Sequence, residues 1–386
     1  MTENFLQREL RSQSLLANER VASIITNGMD WLFRRDRLIT SGLTPFEQVH
    51  DSDLMKVRYY ALEDEEDIAL VDGSRMAIQR QQHRIPLVLV PPLGVTTETF
   101  DLMPDRSRVR YMAACGFRTY LIDWGVPQKQ HAHLGLVDYA DTLFETALSA
   151  VRAHSGSQQV SLMGWCMGGL LCLMHQGLRQ DPDIRNIVTV ASPINLRGGG
   201  IVAGAAQALN APAKLIRQYT SFRLDKLNPV RLHSPAWLTT LAFKLTDPIG
   251  SVTTYWDLVT RLWDREFVKS HSTTANYLNN MLLYPGGVIR DMTVRVAVDN
   301  DLASGRIVIG ERVAELRHIE SAMLVFAGAS DILVKPPIAE KIMDVVASTD
   351  TQFHVAPGGH MGVILGSKAQ KAVWEKTVHW LAKRSQ

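Results

Sequence analysis

Short apolar runs alternate with helical patterns along most of this chain, and that alternation limits its fold more than any other feature. The run IPLVLV at Ile85–Val90 is β-branched, stops at Pro91-Pro92 and is too short for an independent helix, so it reads as a buried strand. Helical spacing follows over Val109–Cys115, and FRTYLI at Phe117–Ile122 gives a second strand ending at Asp123-Trp124-Gly125. A helix near Tyr139–His154, a strand at Val160–Met163, a helix over Met167–Leu178 and a strand at Ile187–Ala191 continue the rhythm. Repeated units of this kind predict an α/β fold with a mainly parallel sheet, covered by helices on both faces.

The rhythm breaks between residues 195 and 315. Gly198-Gly199-Gly200, scattered prolines and the aromatics Tyr219, Phe222, Trp237, Tyr255, Trp256 and Trp263 replace it. This stretch reads as an inserted cap, with its aromatics as core in preference to an acyl pocket. The sheet resumes with AMLVFA at Ala322–Ala327, a helix over Pro336–Val346, a strand at Gln352–Val355 and a helix over Ala369–Ala382. The expected organisation is an N-terminal extension over residues 1–70, a core over 71–194 and 316–386, and the cap over 195–315. A chain of 386 residues fits one such core with an insertion better than two domains.

The stretch VSLMGWCMGGLL carries the chemistry. Gly164-Trp165-Cys166-Met167-Gly168 places a nucleophile between two glycines directly after a strand and before a helix, the form of a nucleophile elbow. Such a turn is sharp, and a Cβ on either flanking residue meets neighbouring backbone. Cys166 stands where serine is more usual, and a helix N-terminus there favours its thiolate. Later in the chain Gly328-Ala329-Ser330-Asp331 ends one strand and Gly358-Gly359-His360 ends the next. The order nucleophile, Asp331, His360 suits a base that takes the thiol proton and a carboxylate that holds its tautomer. An oxyanion hole needs two backbone donors. Met167 is expected to supply one, and, since prolines have no N–H, Leu93 or Gly94 the other, with Gly94 preferred. No metal site is expected.

Composition excludes several classes. Charges of 41 basic against 39 acidic residues, spread along the chain, leave no footprint for nucleic acid. Three cysteines suit a reducing compartment better than a disulfide framework. The polar N-terminus MTENFLQRELRSQ is unlike a signal peptide, and no apolar run is long enough to span a membrane. Arg106, Arg108 and Arg110 read as a solvated helix face, with contacts to coenzyme A phosphates as the second reading.

The motifs at 164–169, 328–334 and 358–362 resemble those of the polyhydroxyalkanoate synthases, particularly the short type that works with a second, non-catalytic subunit. Phe100–Ser107, Leu121–Gly125 and Thr44–Glu47 resemble that family too, so the likeness runs from about residue 44 to the C-terminus. The resemblance implies an α/β-hydrolase fold with a cap. It also implies acyl transfer from 3-hydroxyacyl-CoA through an acyl-cysteine on Cys166, with His360 activating the cysteine and Asp331 helping to activate the attacking hydroxyl. It further implies a cytoplasmic, granule-associated enzyme that needs no cofactor, works as a homodimer with a partner subunit and acts at a polyester granule surface. The segment Gly94-Val95-Thr96-Thr97-Glu98-Thr99 departs from the polar and aromatic loop usual in that family. An esterase, thioesterase or depolymerase keeps the same three residues, and that alternative stays open. A non-catalytic granule- or partner-binding relative is disfavoured by the intact set.

Overall fold

The computed structural model describes residues 2–195, 228–232, 235–244, 256–309 and 311–385. Its centre is an eight-stranded sheet. The strands are β1 (Glu47–Asp51), β2 (Lys56–Tyr60), β3 (Leu87–Val90), β4 (Thr119–Asp123), β5 (Val160–Trp165), β6 (Ile184–Val190), β7 (Ala322–Gly328) and β8 (Thr351–Ala356). In space they run β1-β2-β4-β3-β5-β6-β7-β8. β2 is antiparallel to both neighbours, and every other pair from β4 to β8 is parallel. The parallel strands are the apolar runs seen in the sequence, and every residue of β3 and β5 is buried, as a strand covered on both faces requires. Burying each such Val, Leu or Met side chain contributes about 1.5–3 kcal/mol, which is what holds the strands in register.

Helices cover this sheet for reasons visible residue by residue. α1 spans Thr2–Phe33. α2 (Arg108–Ala114) starts at Ser107, whose side chain accepts from the Arg110 N–H at 3.2 Å. α3 (Phe144–Ser155) buries Phe144, Ala147, Leu148 and Val151, one face at helical spacing, and stops at Gly156 with φ 69°. α4 (Met167–Arg179) is buried from Met167 to Gly177 and packs on β5 and β6. α5 spans Arg265–Asn279 and α6 spans Glu375–Ala382.

Two differences from the sequence reading stand out. The segment 1–70 contributes β1 and β2 to the sheet, and Thr44 is bonded to the buried Asp101 through both its N–H (3.1 Å) and its hydroxyl (2.6 Å). These strands escape notice because EQVHD and KVRYY are short, charged and at the sheet margin, where one face meets solvent. In the segment read as a cap, residues 196–227, 233–234, 245–255 and 310, with Tyr219, Phe222 and Tyr255, lie outside the described residues. Its described tryptophans Trp237, Trp256 and Trp263 are exposed instead of core, and Arg20 lies over the Trp263 ring. Tryptophan is large enough to make contacts on one side and stay wet on the other.

Candidate active site

The chain passes from β3 out to β4 and returns to β5 on the other side of β3. Loops leaving adjacent strands in opposite directions open a crevice at their C-terminal ends, and this is where open parallel sheets hold ligands. Cys166 follows β5 there, and the loops after β3, β7 and β8 carry Gly94, Asp331 and His360.

The elbow is strained as its sequence requires. Cys166 has φ 52° and ψ −121°, a region that side chains other than glycine rarely adopt. It persists because the surroundings over-determine it. The Cys166 N–H donates to Val190 O at 2.8 Å, and the Cys166 carbonyl accepts from Gly169 N at 3.1 Å. A Cβ on Gly164 would lie 2.4 Å from Gly169 N, one on Gly168 would lie 2.0 Å from Val90 O, and one on Gly169 2.0 Å from Ser192 Oγ. The glycines let β5, α4 and the end of β3 approach more closely than side chains permit. Cys166 is half-buried and sits at the N-terminus of α4. Burial, followed by the charge of Glu375, pushes the Cys115 thiol up to about 12, and burial pushes the Cys172 thiol up as well.

Asp331 and His360 meet directly. His360 Nδ1 donates to Asp331 Oδ2 at 2.8 Å, and both residues are buried. Asp331 Oδ1 accepts from the N–H groups of Leu333 and Val334, each at 2.8 Å, so both carboxylate oxygens are engaged. With Nδ1 committed, the buried His360 Nε2 is the ring nitrogen left to interact with the Cys166 side chain. The His360 ring lies 5.4 Å from the fully buried ring of Trp165, which fixes its plane. Burial pulls the imidazole pKa down. The negative charge of a nearby Cys166 thiolate, then the hydrogen bond to Asp331, act the other way and hold it well above the usual histidine value. A buried imidazole held strongly basic beside a cysteine is the partner that a cysteine nucleophile needs.

Met167 is the first residue of α4, so its N–H has no intrahelical acceptor. The loop after β3 lies against the elbow, since the place of a Gly168 Cβ is 2.9 Å from the Pro91 carbonyl. Its carbonyls are tied back by three donors: Trp124 Nε1 to Pro91 O (2.9 Å), Tyr284 hydroxyl to Leu93 O (2.6 Å) and Leu282 N–H to Gly94 O (2.8 Å). Tyr277 adds a hydroxyl contact to Thr99 at 2.5 Å. The sequence reading missed these tyrosines. The available signal is Tyr284-Pro285-Gly286-Gly287, a tyrosine directly before the proline that caps the helix Gly286–Asp291.

The arginines fit neither sequence reading. Arg110 pairs with Glu65, Arg106 lies 3.7 Å from Asp105, and Arg108 is buried between Phe100 and Trp374. Among the described residues no group of histidine, cysteine, aspartate and glutamate is placed to hold a metal, and no helix is long and apolar enough to cross a membrane.

Sheet order, elbow and histidine–aspartate pair define an α/β hydrolase. A family model described as the alpha/beta hydrolase family matches residues 87–375, and the chain belongs to that family. It is similar to the poly(3-hydroxyalkanoate) polymerase subunit PhaC of Allochromatium vinosum, 26% identical over 92% of this chain and 93% of that one. The protein of the same name from Haloferax mediterranei is 25% identical over 90% of this chain, which spans 66% of that relative's length. The crystal structure of a lipase candidate from Sulfolobus solfataricus superposes with a TM-score of 0.51 at 15% identity, over 88% of this chain and 99% of that one. This last likeness shows the fold alone.

Proposed function

We propose that this chain is an acyltransferase that polymerises 3-hydroxyacyl groups from coenzyme A thioesters into polyhydroxyalkanoate. The observation that carries this reading is a cysteine on the elbow beside a buried histidine–aspartate pair, in a chain similar over nine-tenths of its length to proteins named as polymerase subunits.

In this reading His360 takes the Cys166 proton and the thiolate attacks the thioester carbonyl. The oxyanion is received by the N–H groups of Met167 and Gly94. Collapse breaks the bond to coenzyme A, whose thiolate takes the proton from His360, and leaves an acyl-Cys166 thioester. The hydroxyl of a second acyl unit then attacks, gives its proton to His360 and forms the ester, and the proton returns to the Cys166 sulfur. Asp331 is buried with both oxygens occupied, which supports a role through His360 in place of direct contact with the hydroxyl. No cofactor is required beyond the thioester itself. The same reading places the enzyme in the cytoplasm at a polyester granule, as a homodimer with a second subunit.

The test is incubation of the purified protein with 3-hydroxybutyryl-CoA, following free coenzyme A thiol and polymer together. Both products support the reading. Thiol without polymer reassigns the chain as a hydrolase, and absence of both removes the acyltransferase.

A further inference from the structure

We infer that Tyr284 is a positioning residue that aims the Gly94 N–H into the oxyanion site, an inference that rests on the acyl-transfer reading above. The peptide unit between Leu93 and Gly94 is the part of the loop that Tyr284 holds. Its C=O and N–H are fixed in opposite directions by the planar trans bond. The Tyr284 hydroxyl donates to that C=O at 2.6 Å, so it sets the direction of the N–H on the far side of the same plane.

Two further observations show that the phenol is built to do this. Gly94 has φ 81°, and a Cβ there would lie 2.5 Å from the Tyr284 ring. The ring therefore occupies the space that a side chain at residue 94 would need. The next carbonyl, Gly94 O, is held by the Leu282 N–H at 2.8 Å, so both faces of the residue are clamped by one short segment. Tyr284 also lies close enough to Cys166 for a thiolate charge to add to burial in raising its own pKa, which keeps the phenol protonated and a donor throughout the neutral range.

The bond lies 191 residues apart in sequence and joins the insertion to the core. Without it one of the two clamps on residue 94 is lost, and rotation of this peptide turns the N–H away from the developing charge. An oxyanion donor is worth about 10²–10³ in rate, so a donor present but misaimed is expected to lose about 10–100-fold.

The experiment compares Tyr284→Phe with the unaltered chain in two reactions. Coenzyme A release from 3-hydroxybutyryl-CoA passes through an oxyanion, whereas alkylation of Cys166 by iodoacetamide does not. The expected result is a fall of about 10–100-fold in kcat with KM within about twofold, the pattern of an interaction made in the transition state. The alkylation rate and the melting temperature stay near those of the unaltered chain. Unchanged kcat overturns the inference, and so does an alkylation rate that falls in step with kcat, because the phenol then acts on the nucleophile or on folding. Cys166→Ala separates this inference from the reading beneath it. If Cys166→Ala retains turnover, the acyl-cysteine reading fails; if that variant is dead and Tyr284→Phe is fully active, only the role of Tyr284 fails.

Discussion

The two sides of the site are built by different means. On the acid–base side, residues 328–362, Asp331 accepts from the N–H groups two and three positions ahead of it, and its histidine comes from the next strand of the same sheet. On the side proposed to receive the oxyanion, the loop after β3 relies on Trp124, Leu282 and Tyr284, groups 33 to 191 residues away. The first is local and self-closing. The second is assembled only when distant segments arrive, so its donors depend on tertiary packing and its geometry is the more easily disturbed.

The largest effect should come from the residue both sides serve. Cys166→Ala is expected to lower thiol release by about 10⁴-fold or more, as removal of a triad nucleophile does, with little change in melting temperature. Substantial residual turnover would break the comparison, because the two sides would then have no common target. Asp331→Asn keeps a backbone-bonded oxygen and the size of the side chain but lets the imidazole take the wrong tautomer. A loss of about 10²–10⁴-fold in kcat is expected, measured with the same thioester. If Asp331→Asn instead costs stability and leaves kcat intact, the acid–base side is scaffolding.

Stability changes should sort differently. Gly168→Ala drives a Cβ into Val90 O at the junction of elbow and loop, and about 1–3 kcal/mol of destabilisation in urea unfolding is expected. Cys172→Ala removes a sulfur from a fully buried position on α4 and should cost about 1 kcal/mol while leaving thiol release near normal. A large loss of activity in Cys172→Ala would undo the contrast between the two thiols.

The smallest effect is in the pH dependence. The folded-state pKa of His360 is raised, so its contribution to stability is complete below the ordinary histidine value of about 6.5 and is lost as pH climbs towards the raised one. Melting temperatures should therefore fall on the alkaline side. In Cys166→Ala the neighbour that raises the value is gone, and that fall should shrink and end at lower pH. Identical profiles for the two chains would mean that thiolate and imidazole are not coupled.

What was legible in the sequence follows the same division. The parallel strands announced themselves as apolar runs, and Cys166, Asp331 and His360 could be picked out because each follows such a run within a glycine-containing turn. The marginal strands β1 and β2 did not, since short half-wet strands with charged residues lack the continuous apolar run of a buried strand. Trp124 was visible only as the end of a strand, and Tyr284 only as a residue before Pro285. Neither spacing nor composition tells which carbonyl a phenol will find 191 positions away. The burial of Arg108 was hidden for a related reason. Alternating arginines at 106, 108 and 110 look like a wet face until Phe100 and Trp374 close over the middle one.

The bonds from Tyr277 to Thr99 and from Tyr284 to Leu93 also bear on how this protein comes apart. Segments joined by buried hydrogen bonds open together, as one cooperative unit. Residues 277–284 therefore belong with the sheet in that unit, although the chain reaches them through the insertion. Their amides should exchange at the rate of β3, and heat should release both at one temperature. The wall of the site on this side is then as durable as the floor.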